Sequence, residues 1–209
     1  MIVKVEGIQK QFDHKIILED FNLSIKSGDS LVIAGESGSG KTTLLNLLSL
    51  IETPDAGKVF WREKQIKKVN TRETTKIIRE EIGYLFQNYA LIDNATVEEN
   101  IKIGLKYRKD GENKDELVKE ALKRVGLENF QKRKIYSLSG GEQQRVALAR
   151  IIVKPCSIIF ADEPTGNLDE ENSQRIMDVL FELNREGKAI VVVTHDLEHV
   201  SRFKQVIEL

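Results

Sequence analysis

Cysteine is almost missing from this chain: Cys156 is the only one in 209 residues. A single thiol excludes an internal disulfide and every cysteine-based zinc motif, and it suits a reducing compartment. An excess of charge is missing as well. The 32 basic and 33 acidic residues leave a formal net charge of -1. Nucleic-acid binders carry a basic excess or a basic stripe, so no nucleic-acid partner is expected. Lys67-Lys68 and Gln131-Lys132-Arg133-Lys134 come nearest to such a patch and read as solvated loop charge. Long apolar runs are missing too. Leu44 to Ile51 and Ala189 to Val193 fall far short of a membrane span. The start, Met1-Ile2-Val3-Lys4-Val5-Glu6, has no signal-peptide core. Direct membrane insertion is therefore not expected, and any place at a membrane must come from a partner. No internal repeat and no low-complexity segment is visible.

What remains is ordinary globular composition, 40% hydrophobic and 31% charged. Ile2 to Ile8 and Ile16 to Ile25 read as strands, and Ser30 to Ala34, Ile82 to Phe86, Ser157 to Ala161 and Ala189 to Thr194 as further strands. Helices are expected from about Lys41 to Leu50, from Thr71 to Glu81, and over the stripe Ile176, Met177, Val179, Leu180 and Leu183. Asn113 with Glu116 is a candidate capping box for a helix that Gly126 ends. Apolar strands alternating with helices predict an α/β fold with a mixed, mostly parallel sheet covered on both faces. The helical stretch in the middle is too long for a crossover. It is read as a subdomain of about residues 88–155 inserted into a core of about 1–87 and 156–209, within one domain spanning 1–209.

Gly35-Glu36-Ser37-Gly38-Ser39-Gly40-Lys41-Thr42 fits G-x-x-x-x-G-K-[ST] between a strand and a helix. Glycines let the backbone curl so that amide N–H groups point at phosphate oxygens, and the helix N-terminus adds partial positive charge. Lys41 would reach the β- and γ-phosphates of a nucleotide and Thr42 would ligate Mg²⁺. Gly35, Ser37, Gly38, Ser39, Gly40 and Thr43 complete the expected nucleotide-binding set. Asp162-Glu163 ends an apolar strand, where ligands of open α/β sheets bind. Alone the pair is equally well a strand-end turn. Beside a phosphate loop, Asp162 suits Mg²⁺ and Glu163 suits polarising the attacking water. Leu138-Ser139-Gly140-Gly141-Glu142-Gln143 is a second glycine-rich helix start, and Ser139, Gly140 and Gly141 offer a second anion site. Alone it would be a Ser-capped helix.

In this order the motifs resemble the ATP-binding-cassette ATPases: phosphate loop, Gln87 after a strand, the Leu138–Gln143 signature, Asp162-Glu163, Asn167-Leu168-Asp169, then His195. The resemblance covers about Ile2 to Leu209. It implies a P-loop NTPase core with an N-terminal antiparallel β subdomain and an inserted helical subdomain. ATP and Mg²⁺ are the implied ligands. Two copies are expected to sandwich two ATP molecules, each between one copy's phosphate loop and the other's signature. Phe12 sits where the family stacks an aromatic on adenine. Gln87 resembles the residue sensing Mg²⁺ and the nucleophilic water, Asp169 a residue communicating across the dimer, and His195 the residue contacting the γ-phosphate. His14 and His199 match no motif and read as surface.

Asp162 to Asp169 is similar to the branch serving lipoprotein release, macrolide efflux and bacteriocin export, and Gly83 to Ile92 is similar to bacteriocin-type exporters. The implied role is to power a membrane-spanning permease from its cytoplasmic face, with Asn88 to Ile92 as the contact. Arg62-Glu63 replaces a hairpin glycine common among relatives, and Ile92-Asp93-Asn94 replaces a proline-containing stretch. No regulatory domain is expected after Leu209. A DNA-organising ATPase would need a coiled coil between Lys41 and Ser139, where no heptads occur. A translation factor would need a second cassette. ATP-driven mechanical regulation of a cell-wall or membrane partner remains the alternative to export.

Overall fold

The structure, a computed structural model, describes every residue except His14, Lys109, Asp110, Asn167, Leu197 and Glu198. The expectations placed on His14 and Asn167 therefore lie outside the described residues.

β1 (Val3–Phe12) and β2 (Lys15–Ile25) form an antiparallel hairpin, with Val3 opposite Ile25 and Phe12 opposite Lys15. β3 (Ser30–Ala34) is buried throughout and leads through the glycine-rich loop into α1 (Lys41–Leu48). β4 (Ala56–Trp61) and β5 (Lys64–Ile66) are joined by Arg62 and Glu63, both at positive φ, 45° and 70°. Tight hairpins demand that backbone, so two side-chain-bearing residues hold conformations that glycine adopts more cheaply. α2 (Arg72–Glu81) runs into β6 (Ile82–Leu85). Three helices follow, α3 (Val97–Gly104), α4 (Lys114–Arg124) and α5 (Gly140–Ile152). β7 (Ile158–Asp162), α6 (Glu170–Arg185), β8 (Ala189–Thr194) and β9 (Gln205–Glu208) complete the chain.

The parallel and antiparallel strands separate into two sheets. β2-β1-β4-β5 is antiparallel and β6-β7-β8-β3-β9 is parallel. Alternation along the parallel strands divides the core. Leu31, Ile33, Phe160, Val191 and Val193 face α1 and the antiparallel sheet. Val32, Ile159, Ala161, Ile190 and Val192 face the helical layer of α3 to α6. That double coverage explains why the central strands read as nearly unbroken apolar runs, and it places Asp162 and Thr194 at the carboxyl ends of β7 and β8.

Local signals set most helix starts. Thr71, Thr96 and Ser139 each form a reciprocal capping box. Asn113 caps α4 differently: its side chain accepts from Asp115 N at 3.1 Å, and Glu116 makes no return bond. The short asparagine side chain closes a turn two residues on, so the expected box is a one-sided cap. His199, expected at the surface, is 7% exposed. The turn that carries it returns onto α6, where Phe203 packs on Phe181 and Arg202 pairs with Asp178.

Candidate functional site

The phosphate loop, the end of β6, the end of β7 and the end of β8 converge on one cleft of about 540 Å³. Ser37, Gly38, Gly40, Lys41, Thr42 and Thr43 form one wall, and Gln87, Glu163 and His195 stand opposite. These side chains lie far apart in sequence. They meet because β3, β7 and β8 are adjacent in the parallel sheet and every connection leaves from the same sheet edge.

The loop curls through Gly38 and Gly40, at φ 80° and 105°. At Gly40 a Cβ would also lie 2.2 Å from Ile17 Cγ2, so a side chain there is excluded twice. Lys41 is buried, and its Nζ donates to the carbonyls of Gly35 and Glu36 at 2.9 and 2.7 Å. The ammonium is thus held inside the curl, where an anion would meet it. Thr42 Oγ1 donates to Asp162 Oδ1 at 3.1 Å.

Asp162 is 8% exposed. Burial pushes its carboxyl above the usual range, the hydrogen bond from Thr42 opposes that rise, and the Glu163 charge adds to it. Glu163 carries the strand beyond Asp162 in a left-handed conformation, φ 46°, held by its N–H to Val193 O at 2.9 Å. A non-glycine residue there stores strain, on the order of 1–3 kcal/mol, and the effect is to turn its carboxylate into the cleft. Glu163 Oε2 lies 2.9 Å from His195 Nδ1 and also accepts from the His195 backbone N–H at 3.4 Å.

These residues fit a Mg²⁺-nucleotide complex. Ser39 Oγ is buried without a hydrogen-bond partner, inside the curl of the phosphate loop. A hydroxyl–carboxylate oxygen pair, Thr42 with Asp162, suits a cation that takes few protein ligands and completes its shell from water and phosphate. Among the described residues no cluster of three or more His, Cys, Asp or Glu competes for a metal. When bound, Mg²⁺ would supply charge neutralisation between phosphate oxygens.

A stability prediction follows from Asp162. Its native pKa is raised, so the native apo protein holds that proton more tightly than the unfolded chain. The resulting stability is present below the unfolded pKa and is lost as pH rises through the native value. At neutral pH the charged carboxylate is a cost. Asp162→Asn is expected to raise the apo melting temperature at pH 7. The gain should vanish near pH 4. Calorimetry at the two pH values checks it, and a lower melting temperature at pH 7 would contradict it.

The remaining expected residues lie elsewhere. Gly35 sits at the base of the loop against the Leu209 carbonyl. Phe12 is 46% exposed rather than core, with Lys10 Nζ 5.1 Å from its ring centroid, and its strand partner Lys15 donates to Gly38 O of the phosphate loop at 3.4 Å. Ser139 and Gly140 are exposed, and none of Ser139, Gly140 and Gly141 lines the cleft. Asp169 caps α6 through Asn172 N at 2.8 Å.

Asn88 to Ile92, expected to offer apolar anchors outward, does so only at Ile92, which is 55% exposed. Tyr89 and Leu91 pack against the helical layer. Left-handed backbone at Tyr89 and Ala90, φ 61° and 48°, turns the chain inward. Arg150 of α5 grips their carbonyls at 2.9 and 2.6 Å, and buried Asn100 holds both the N–H and C=O of Ile92. The outward apolar surface is instead a groove of about 320 Å³ between α2, β6 and α3, lined by Ile51, Ile78, Phe86, Ala90, Ile103 and Tyr107.

Four residues escaped the sequence reading. Ile17 floors the cleft, Gln144 Nε2 reaches Pro164 O at 2.8 Å beside Glu163, and Arg150 and Asn172 tie helices to loops. Gln144 lies one residue beyond the quoted signature, and Asn172 stands three after a capping aspartate. Nothing local marks Ile17 or Arg150.

Residues 18–166 match the family described as ABC transporter. The chain belongs to that family. The cassette is 40% identical to the lipoprotein-releasing system ATP-binding protein LolD of Aquifex aeolicus, over all of this chain and 93% of that protein. It is 37% identical to the macrolide export ATP-binding/permease protein MacB of Pasteurella multocida, where the whole chain matches but spans only 33% of the relative. Among solved structures, the dimeric post-hydrolysis state of the ATP-binding cassette MJ0796 bound to ADP and Pi superimposes with a TM-score of 0.89 at 38% identity, over all of this chain and 94% of that one. The chain is thus an ATP-binding, ATP-hydrolysing subunit of an ABC transporter with a P-loop cassette fold. Among the described residues no helix is long and apolar enough to cross a membrane.

Proposed function

We propose that this cassette works as one of two copies that close on two ATP molecules and drive a membrane-spanning permease which exports a lipoprotein, a peptide or an antimicrobial compound. The observation that carries it is the split of phosphate-binding elements: the loop and acids share one cleft, while the capped signature start is exposed and lines no part of it. A second copy can supply that missing half, as the dimeric arrangement of MJ0796 supports. Within the pair, Lys41 and the loop amides hold the phosphates, Thr42 and Asp162 hold Mg²⁺ with Gln87 beside them, and Phe12 stacks on adenine. Glu163 takes the proton of the attacking water while His195 holds the carboxylate in place and faces the γ-phosphate. Asp169 meets the second copy. The likeness to LolD and MacB supports an export role, and Gly83 to Ile92 supports the peptide end of that range.

The permease reaches the cassette through the groove of Phe86, Ala90, Ile103 and Tyr107, immediately beside Gln87. Aromatic and aliphatic pockets of this kind dominate partner affinity. Ile103→Asp places a charge on the exposed lip of the groove. It is expected to leave hydrolysis by the free subunit unchanged, to abolish co-purification with the membrane protein encoded in the neighbouring reading frame, and to stop transport. Full co-purification with normal transport would move the docking site elsewhere.

A further inference from the structure

α5 and the first turn of α6 meet at one side chain. Asn172 lies one turn beyond Asp169, and its Nδ2 donates to Asp169 Oδ2 at 2.7 Å while its backbone N–H donates to Asp169 Oδ1 at 2.8 Å. Its Oδ1 accepts from Arg145 Nη1 on α5. Its amide plane packs under the signature: a Cβ on Gly141 would fall 2.9 Å from Asn172 Cγ. Arg145 Nε is buried without a partner, so the guanidinium depends on the bond to Asn172.

Capping α6 does not need this side chain. The cap requires only a backbone N–H three residues after Asp169, and any residue other than proline supplies it. The side-chain bonds are additional. They fix the outward-facing Asp169 carboxylate, which these hydrogen bonds hold below the usual carboxylate range, and they connect it to the helix that begins at Ser139.

We propose that Asn172 is a positioning residue that locks Asp169 and Ser139-Gly140-Gly141 into one rigid unit, so that both elements are presented to a second cassette in fixed register. The inference rests on the two-copy reading above.

The test uses the hydrolysis-deficient Glu163→Gln protein with saturating ATP. Three quantities are read: the protein concentration at half-dimerisation by light scattering, the ATP affinity of the dilute monomer, and the melting temperature. Adding Asn172→Ala is expected to raise the half-dimerisation concentration tenfold or more, with monomer ATP affinity within twofold. Asn172→Asp keeps the size and the acceptor for Arg145 but loses the donor to Asp169, and is expected to raise it at least threefold. Asp169→Ala combined with Asn172→Ala should be no worse than the more damaging single change, because both act through one link. A purely structural role would lower the melting temperature and leave the dimerisation midpoint within twofold of the parent. That result, or fold-changes that simply multiply, would overturn the inference. If the Glu163→Gln parent itself stays monomeric with ATP, the two-copy reading falls and takes the inference with it. An unchanged midpoint in a dimerising parent removes the role of Asn172 alone.

Discussion

Replacing Glu163 by Gln is expected to cut ATP turnover by about 10²–10⁴-fold, the usual loss when a positioned general base is removed, and to leave ATP binding within twofold. The separation follows from where the phosphates are held. Lys41, folded onto the Gly35 and Glu36 carbonyls, and the loop amides belong to α1 and its approach, and Thr42 with Asp162 forms the metal pair. The Glu163 side chain hydrogen-bonds to His195 rather than to these groups. Its carboxylate lies against His195 Nδ1 at 2.9 Å within the cleft, a place suited to a water attacking along the open side. An amide of equal size can still bond to His195 but cannot accept a proton from water. Turnover is measured by phosphate release and binding by equilibrium titration with Mg²⁺. Turnover within twofold of the unaltered protein would remove Glu163 from the role of base, and loss of binding would show that its charge serves the nucleotide instead.

The cleft was legible in the sequence because its parts are local. A phosphate loop needs a strand, a curl and a helix start in one stretch, and Gly35 to Thr43 contains all three. Asp162-Glu163 and His195 were readable as strand ends, since Ile158 to Ala161 and Ala189 to Val193 are unbroken apolar runs just before them and a parallel sheet brings its strand ends to one edge. The failures share a different cause. The backbone that turns Tyr89 and Leu91 inward is fixed by Arg150 and Asn100, which belong to α5 and α3. The burial of His199 depends on α6. Ile17 enters the cleft because a positive φ at Asp20, 47°, and register shifts in the β1–β2 hairpin alter the alternation that places Phe21 and Leu23. Each is a contact between elements, and neither periodicity nor capping chemistry carries information about which elements will touch.

Ser139→Arg is expected to abolish the ATP-dependent dimer outright. Free cassettes should be largely monomeric, and Glu163→Gln with ATP should convert them to dimers by light scattering, because the nucleotide then persists between a phosphate loop and a signature. At the signature the helix start is exposed and carries its own capping box. Ser139 and Gly140 are exposed, the Ser139 hydroxyl accepts from Glu142 N at 3.3 Å, and the following two residues carry no side chain. In the free subunit the Glu142 carboxylate accepts from the Ser139 N–H at 2.7 Å, and a phosphate from the second copy would meet the remaining first-turn amides, where the helix favours negative charge. A guanidinium on a long stem would fill that approach. It would also remove the cap, which costs about 1 kcal/mol, so stability must be separated from occlusion. Ser139→Ala does so, since it removes the same cap and adds no bulk. Both variants should melt a few degrees lower and bind ATP as monomers with affinity within twofold of the parent, because the signature lies outside the subunit's own cleft. The alanine variant should still dimerise at a higher protein concentration, and the arginine variant should not dimerise at any concentration tested. A dimer that survives Ser139→Arg would refute the sandwich. Equal loss in both variants would assign the effect to the cap rather than to a phosphate held between two subunits.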